Sequence, residues 1–468
     1  MGVEDIARGS VRRTAKLASL PLGAAGRAVK GLGRRIAGGD AETIAAQWSA
    51  DNAEQLFAVL GGLKGGAMKF GQMMSIFEAV IPEQYAQPYR AALTGLQASA
   101  PPISSKQVHR VLAEQLGTRW GDRFAEFDNE PAAAASIGQV HHARWHDGRL
   151  VAVKVQYPGV DAALRSDLRR VGQISRFMDR VFPGIAVRPM LAEVRKRIAE
   201  ELDYRNEADN QRTFAAAFAD SPTFLVPRVV ASSPNVLVTE WVTGRPFADI
   251  IRNGSQETRN TAARLLFEFC GASMSGIGLM HADPHPGNYQ LTPDGRLAVL
   301  DFGAVTTVHR TALRYLDALR QAELAEQVRF DELPDDLRKL VFDEVNTALS
   351  AAGFSRPGAQ VSPEDLLAYF GPFAEPLWAS TFQFDRRWLQ RNAAQIPGLA
   401  RGQEFMGGAV LEIPTEHVMM FRTLAGLVGV ACQLEAQIAL RDITIRWYPD
   451  FAEAKVPSRL ADALDIDG

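Results

Sequence analysis

The chain has 468 residues, of which 47% are hydrophobic and 22% charged, enough for two or more substantial cores and without a bias towards disorder. Its formal net charge of -3 provides no overall basic face, so we do not expect nucleic acid as a partner. The two cysteines, Cys270 and Cys432, lie far apart, which argues against a disulfide framework or a cysteine-rich metal site and favours a reducing cytoplasm.

Residues 1–40 are interpreted as a basic arm, because they contain eight Lys or Arg, between positions 8 and 35, and only three acidic residues. We expect either a solvated leader or, alternatively, peripheral contact of residues 8–35 with anionic lipid headgroups. No stretch approaches the roughly 18 apolar residues of a spanning helix, so no transmembrane helix is expected. The predicted localisation is therefore cytoplasmic, with peripheral membrane association as the alternative.

Residues 41–125 are predicted to form a helical extension. Apolar residues recur there every three or four positions, as in an amphipathic helix: Leu56, Leu60, Leu63, Ala67, Phe70 and Met74. Pro101 and Pro102 mark a boundary. A helix with Ser104 or Ser105 as its cap is predicted to follow, with one apolar face formed by Val108, Val111 and Leu112.

Residues 126–243 are predicted to form a small antiparallel sheet, interrupted by a charged helical insertion at 160–219. Its strand-like runs are Ser136–Arg144, Leu150–Gln156, Thr223–Ala231 and Val236–Val242. The turns between them are Asp147-Gly148 and Ser233-Pro234. A strand-rich lobe followed by a helix-rich lobe predicts an α+β fold with a cleft.

Residues 244–468 are predicted to be mainly helical, interrupted by a compact loop and a hairpin with the turn Pro293-Asp294-Gly295. Five large apolar residues are expected in the core, although a lipid-binding groove would use the same residue types: Trp378, Phe382, Met419, Met420 and Phe421.

A catalytic constellation is predicted around His281-Ala-Asp283-Pro-His-Pro-Gly-Asn288. Asp301-Phe-Gly303 begins eighteen residues after Asp283 and follows the apolar strand Leu297–Leu300. This order matches a kinase catalytic loop, here 281–290, followed by a metal-binding loop, here 301–303. Asp283 suits orientation of the attacking group, and Asn288 and Asp301 suit magnesium. Any one aspartate would more simply be a cap or turn residue, but the combination favours a site.

Lys154 ends the apolar strand Val151-Ala-Val-Lys154 and is predicted to contact nucleotide phosphate, because a lysine inside a cleft needs a compensating anion. The alternative is a solvent-facing lysine on an edge strand. Its partner should be a glutamate on the next long helix. Glu201 is preferred, but spacing also allows Glu193, Glu200 and Glu207.

An alanine-rich segment, Ala132–Val140, stands where a protein kinase has its glycine-rich loop. Alanine restricts the backbone, so the approach to phosphates should differ, although alanine-rich turns are also ordinary. The predicted nucleotide contacts are Ala133, Ala134, Ala135, Ser136, Ile137, Gly138, Val140, Glu240 and Val242. Since no Ala-Pro-Glu element follows Gly303, a peptide-docking platform is not expected.

Taken together, the motifs resemble the AarF/UbiB (ADCK) family of atypical kinases over roughly residues 40–310. They are Lys69-Phe-Gly71-Gln72, like its KxGQ motif, the alanine-rich Ala133–His141, Glu201-Leu-Asp203, like its ExD motif, and His281–Asn288 with the Asp-Phe-Gly.

The resemblance implies a bilobal protein-kinase-like fold whose helical N-terminal extension carries KxGQ. It also implies binding of ATP or ADP with Mg²⁺, and a role in isoprenoid-quinone or other lipid metabolism. It makes Lys69 a functional residue that contacts Glu201 or Asp203. Because residues two apart on a helix point in different directions, one acid can face Lys154 and the other Lys69.

Four functional hypotheses follow. The first is a magnesium- and ATP-dependent atypical kinase or ATPase that acts on or beside lipid-like molecules such as quinone precursors. The second is a phosphotransferase for a soluble small molecule, because His-x-Asp-x-His-Pro-Gly-Asn also resembles the aminoglycoside and choline kinase loop. The third is a nucleotide-gated binding or chaperone protein, and the last is a protein kinase proper. The sequence assigns neither the phosphoryl acceptor nor an oligomeric state.

Overall fold

The computed structural model describes residues 103–135, 137–161, 202–308, 316, 334–351, 353, 374–395 and 417–451. The chain divides into two compact units. Among the described residues, the first unit holds 103–120, 127–135, 137–142 and 154–161, and the second holds 121–126, 143–153 and those from 202 onwards. The basic arm, Lys69 with the KxGQ motif, Ser136 and Glu201 lie outside the described residues.

A five-stranded sheet has the strand order β1-β2-β3-β6-β5. Its strands are β1 (Phe124–Ala135), β2 (Gly138–Trp145), β3 (Leu150–Gln156), β5 (Val229–Ser232) and β6 (Val236–Glu240). The predicted turns Asp147-Gly148 and Ser233-Pro234 lie between β2 and β3 and between β5 and β6. The sheet was expected to begin near Ser136, and β1 was missed because most of its side chains are exposed and show no apolar alternation.

The prediction of one strand over Thr223–Ala231 is wrong. Pro227 interrupts the run, and a proline cannot donate to a strand ladder. The residues before it form β4 (Phe224–Leu225), which pairs in parallel with β10 (Leu297–Val299). These two strands belong to a second sheet of order β4-β10-β9-β7, completed by β7 (Arg245–Pro246) and β9 (Tyr289–Leu291).

In the first unit, helix α1 (Ser105–Leu116) begins as predicted after Ser104. Gln107 Oε1 accepts hydrogen bonds from the Ser104 backbone N–H at 3.3 Å and its hydroxyl at 3.1 Å. These bonds fix the first turn, as in a capping box. The expected apolar face is confirmed, because Val108, Val111 and Leu112 are buried.

His141 lies at the centre of a buried polar network in the first unit. Its Nδ1 bonds the backbone carbonyl of Asp128 at 2.8 Å, and its Nε2 bonds the side-chain amide of Gln139 at 2.9 Å. A carbonyl only accepts, so Nδ1 carries the proton and Nε2 accepts from the amide. The other end of Gln139 accepts the backbone N–H of Ile103 at 2.9 Å. The neutral ring is therefore fully hydrogen-bonded, and burial lowers the pKa of His141 below 6.5.

This lowered pKa predicts a pH dependence of stability. The unfolded chain takes up a proton near pH 6.5 and the folded chain only at lower pH, so His141 stabilises the fold above that value and loses its contribution as pH falls through its lowered pKa. We expect the free energy of unfolding, measured with urea, to fall between about pH 7.5 and about pH 5.5. The fall should be larger in the wild type than in His141→Gln, whose side chain at position 141 cannot titrate. Equal losses would contradict the assignment.

Further helices lie in the second unit. They are α2 (Tyr204–Ala217), α3 (Phe247–Asn253), α4 (Gln256–Ile277), α5 (Asp335–Ala351), α6 (Arg386–Gln395), α7 (Val418–Gln433) and α8 (Leu440–Trp447). The unit also contains the pairs β8 (Leu279–His281) with β11 (Val305–Thr307) and β12 (Phe382–Gln383) with β13 (Gln437–Ile438). None of the described helices is long and apolar enough to cross a membrane.

Helix α4 is the central helix of this unit, with a buried face that runs from Ala262 to Ser273. Ser255 caps its start by accepting the backbone N–H of Thr258, and its last turn ends at Gly278 in the left-handed region. A carboxylate on this helix, Glu268, is buried between two guanidinium groups at 3.0 and 2.9 Å. One of these belongs to Arg446 on α8, so the ion pair ties α8 to α4.

The predicted apolar core of the C-terminal region is largely confirmed. Phe382, Met419 and Met420 are buried, whereas Trp378 and Phe421 are half-buried.

Candidate active site

Two antiparallel pairs bring the predicted catalytic and metal-binding loops together. In the first, His281 of β8 lies opposite Val305 of β11. In the second, Tyr289 of β9 lies opposite Val299 of β10. Segment 282–288 joins β8 to β9, and segment 300–304 joins β10 to β11. The backbone hydrogen bonds from Ala282 to Ala304, at 2.9 Å, and from Leu300 to Asn288, at 2.8 Å, extend both pairs into these segments. The two loops therefore lie side by side and are held at both ends.

Asp283 and Asn288 form one hydrogen-bonded unit within the first loop. Both are nearly buried, with 7% and 9% exposure. The Asn288 Nδ2 group donates to the backbone carbonyl of Asp283 at 3.0 Å and to its Oδ2 at 3.2 Å. The side chain of His285 accepts the backbone N–H of Gly287 at 3.1 Å and shapes the turn between them. Because the Asn288 amide protons are directed at Asp283, its Oδ1 is the atom suited to a cation.

Asp301 adopts a left-handed backbone conformation with φ of 59°. This region costs a residue other than glycine about 1–3 kcal/mol and persists only where the surroundings hold it. Asp301 Oδ1 accepts the backbone N–H of Gly303 at 3.2 Å, and its backbone carbonyl is 2.8 Å from His281 Nε2. The carboxylate is thus presented by a turn that is fixed on two sides.

Helix α2 packs against the Asp301–Gly303 turn. Phe302 is fully buried, and its ring lies 4.9 Å from that of Phe214. The side-chain amide of Asn210 donates to the Phe302 carbonyl at 3.0 Å. Glu207 on the same face is only 4% exposed, and its Oε2 is 3.7 Å from where a Cβ on Gly303 would lie. This helix therefore places a buried carboxylate beside the turn that carries Asp301.

As the partner of Lys154, the sequence favours Glu201 and leaves Glu207 as one alternative; Glu201 lies outside the described residues, so that preference stays a prediction. The signal that favours Glu207 is its spacing, since positions 204, 207, 208, 211 and 214 form the buried face of α2. A glutamate on an otherwise core-facing stripe is unusual unless it meets a cation.

The other predicted contacts in this unit have mainly structural partners. Asp203 caps α2 by accepting the backbone N–H of Arg205. Its carboxylate also accepts a hydrogen bond from the Arg205 guanidinium at 2.6 Å, and this bond lowers the pKa of Asp203. Glu240 is half-buried and accepts the backbone N–H of Arg228 at 3.0 Å. Val242 follows β6 and is also half-buried.

In the first unit, Lys154 lies on β3 with its side chain half-buried. The flanking Val153 and Val155 are fully buried, as period-two alternation requires, so Lys154 points to the opposite face from these valines. The position of Lys154 on a strand is therefore as predicted.

The alanine-rich segment forms a tight connection between two strands. Ala133, Ala134 and Ala135 are the last residues of β1, the first two exposed and the third half-buried. Ile137 and Gly138 are buried, Val140 is half-buried, and the Ile137 carbonyl accepts the backbone N–H of Tyr157 at 2.9 Å. The segment is thus mainly strand, with a short turn between β1 and β2.

The donors in the second unit fit a magnesium ion. Within the described part of the chain, no three His, Cys, Asp or Glu side chains form a metal cluster by themselves. Magnesium in phosphate sites instead takes one or two protein oxygen ligands and completes its shell with phosphate and water oxygens. The Asp301 carboxylate and the Asn288 amide oxygen supply that number and type of donor.

Comparisons with known proteins found a matching family model and similar relatives. Residues 95–332 match the model of the ABC1 atypical kinase-like domain. The atypical kinase COQ8B, mitochondrial, from Rattus norvegicus is 30% identical over 84% of this chain and 71% of the relative. The atypical kinase coq-8, mitochondrial, from Caenorhabditis elegans is 36% identical over 54% of this chain and 34% of that relative.

A solved structure is also similar. The complex of Rv3197 with erythromycin from Mycobacterium tuberculosis aligns with a TM-score of 0.64 and 39% identity, over 88% of this chain and all of that one.

Proposed function

The chain belongs to the ABC1 atypical kinase-like family, with its kinase-like α+β fold, and we propose that it binds ATP or ADP with Mg²⁺ and acts as an atypical kinase or ATPase. The observation that carries the proposal is the placement of Asp283, Asn288 and Asp301 on two adjoining loops held by paired strands. Phosphoryl transfer needs these groups, because it depends on positioning and charge stabilisation.

Each residue has a defined part in this proposal. Asp283 accepts a hydrogen bond from the attacking hydroxyl or water, orients it and receives its proton. The Asn288–Asp283 hydrogen bonds keep the Asp283 carboxylate in place. Asn288 Oδ1 and the Asp301 carboxylate would hold the cation. The magnesium ion, when bound, neutralises phosphate charge. Lys154 contributes a positive charge that attracts the nucleotide phosphates. Lys69 and the alanine-rich segment are further proposed nucleotide contacts.

We further propose a lipid-related role, because the resemblance to the AarF/UbiB (ADCK) family implies one and the similar relatives include COQ8 kinases of mitochondria. The substrate or partner would be a lipid or a quinone precursor, reached from the cytoplasm or from a membrane surface through basic residues 8–35. Alternatives are a soluble small-molecule acceptor and a nucleotide-gated binding or chaperone function.

The test is nucleotide turnover by the purified full chain. We expect ATP hydrolysis, or transfer to an added hydroxylated acceptor, that requires magnesium and stops with a chelator. Vesicles with and without anionic lipid, assayed in parallel, separate a lipid-linked activity from a soluble one. Magnesium-dependent binding without turnover or transfer would replace the enzyme proposal with the binding-protein alternative.

Glu207 provides a sharper prediction about the site. Glu207 places a buried carboxylate next to the Asp301 turn, where its negative charge would attract a bound cation. Glu207→Gln keeps the shape and removes the charge, so we expect affinity for magnesium–nucleotide to fall by about tenfold. Asp209→Asn is the matched control, because Asp209 is exposed on the same helix and pairs with Arg212. Equal affinities of the two variants in calorimetric titration would remove Glu207 from the site.

A second candidate function is macrolide binding, favoured by the 39% identity to a chain whose structure is described as a complex with erythromycin. Thermal unfolding of this protein with increasing erythromycin would test it. A saturable rise in the unfolding temperature supports binding, and no rise up to the solubility limit rejects it.

A further inference from the structure

Tyr289 reaches the Asp301 turn through one intervening side chain. It is the first residue of β9, and only 1% of it is exposed. Its hydroxyl lies 3.2 Å from His281 Nδ1. The other ring nitrogen of His281 faces two backbone carbonyls, that of Asp301 at 2.8 Å and that of Leu300 at 3.3 Å. A continuous chain of hydrogen bonds therefore joins Tyr289 to the backbone of Asp301.

The direction of each hydrogen bond follows from the atoms present. Carbonyl oxygens only accept, so His281 Nε2 carries the proton and, in the neutral ring, Nδ1 accepts. The donor to Nδ1 is then the Tyr289 hydroxyl. The hydrogen bonds therefore all run in one direction, from the tyrosine hydroxyl to the histidine ring and from the ring to the carbonyls.

The hydroxyl is the part of Tyr289 that packing does not require. Its ring lies 5.6 Å from that of Phe247 and 5.7 Å from that of His281, contacts that a phenylalanine would also make. The hydrogen bond to Nδ1 orients the imidazole and fixes its tautomer. A histidine held in this way keeps its N–H on the Asp301 carbonyl.

The Asp301 carbonyl is where such support matters. The left-handed backbone at Asp301 is unfavourable for a residue with a side chain, and its peptide must be held from outside the turn. Fixing the carbonyl fixes the rotation of the residue and hence the direction of its carboxylate. We propose that Tyr289 is a positioning residue for Asp301, which acts through His281 and sets the affinity of the site for its divalent cation.

This inference rests on the proposed nucleotide function, and Tyr289→Phe tests it. ADP would be titrated calorimetrically at a series of magnesium concentrations and in a chelator. We expect apparent magnesium affinity about tenfold weaker than in the wild type, with affinity in the chelator unchanged. The control is Phe247→Leu, which disturbs the same packing and leaves the hydrogen-bond chain in place. It should lower the unfolding temperature without changing the magnesium affinity.

A double-mutant cycle tests whether Tyr289 acts through His281. In a His281→Gln background, Tyr289→Phe should change the magnesium affinity by less than about twofold, because the intermediary is already lost. Full additivity would overturn the proposed route. A readout without nucleotide or metal is the ¹⁵N spectrum of labelled histidine. His281 should be the Nε2–H tautomer, with an Nδ1 resonance that moves in Tyr289→Phe, and an unmoved resonance would also overturn it.

Failure of this inference is distinguishable from failure of the proposed function. Wild-type and Tyr289→Phe proteins with the same magnesium-dependent ADP affinity would overturn the positioning role alone. A wild-type protein that binds no nucleotide at any magnesium concentration would overturn the proposed function, and the inference with it.

Discussion

Asp283→Asn is expected to lower turnover by about 10²–10⁴-fold while leaving nucleotide affinity nearly unchanged. Removal of a positioned general base has an effect of this size. The asparagine side chain has the same shape, and its carbonyl oxygen still accepts from Asn288 Nδ2, now 3.2 Å from Asp283 Oδ2. The loops therefore keep their arrangement, and only the proton acceptor is lost.

The measurement is single-turnover phosphate release together with calorimetric ADP affinity. Asp294→Asn is the control, because Asp294 is an exposed acid in the turn between β9 and β10 whose bonds, to Thr292 and Arg296, stay within that turn. It should retain full turnover. If Asp283→Asn retained most of its activity, Asp283 would have no catalytic part.

Asp301→Asn is expected to abolish the magnesium dependence of nucleotide binding, with a loss of affinity for the magnesium complex of at least about 100-fold. The change removes the charged oxygen ligand, and even ligand-supporting residues cost 10–100-fold in metal sites. Asparagine tolerates the left-handed backbone as well as aspartate does, so the φ of 59° is retained. Affinity measured in a chelator should be unchanged.

A complementation experiment tests whether the cell requires nucleotide binding by this protein. If Asp301→Asn failed to bind magnesium–nucleotide but still complemented a deletion of its gene, nucleotide chemistry would not be the function that the cell requires. Parallel loss of binding and complementation supports the proposed activity.

The predictions from sequence succeeded where local chemistry decides the structure. The strand-like run Leu150–Gln156, with the apolar residues before Lys154, identified β3 and the position of Lys154. The turn Pro293-Asp294-Gly295 identified the hairpin that brings Asn288 and Asp301 together. The resemblance to the atypical kinase family and the α+β kinase-like fold are both confirmed.

The failures concern partners that are distant in sequence. β4 pairs with β10, some seventy residues later, and nothing within Phe224–Leu225 specifies that partner. The hydrogen bond from Asn210 to the Phe302 carbonyl likewise spans 92 residues. Side-chain spacing reports which face of an element is buried but not what covers it. For this reason the sequence left Glu201 and Glu207 as alternatives and did not connect Tyr289 with His281.

Two motifs stay predictions. Lys69 with KxGQ, and Glu201 of the ExD motif, lie outside the described residues, and the described Asp203 serves as the cap of α2. Their proposed contact would extend the site towards the N-terminal extension. The domain boundaries at 40, 125 and 243 are predictions in the same sense.

The most direct test of magnesium-dependent nucleotide binding is calorimetric titration of the purified wild-type chain with ADP and with a non-hydrolysable ATP analogue, in excess magnesium and in a chelator. We predict saturable binding at one site per chain, tightened at least about tenfold by magnesium. Absence of binding by either nucleotide in both conditions would contradict it, and the loops that carry Asp283 and Asp301 would then have no nucleotide function.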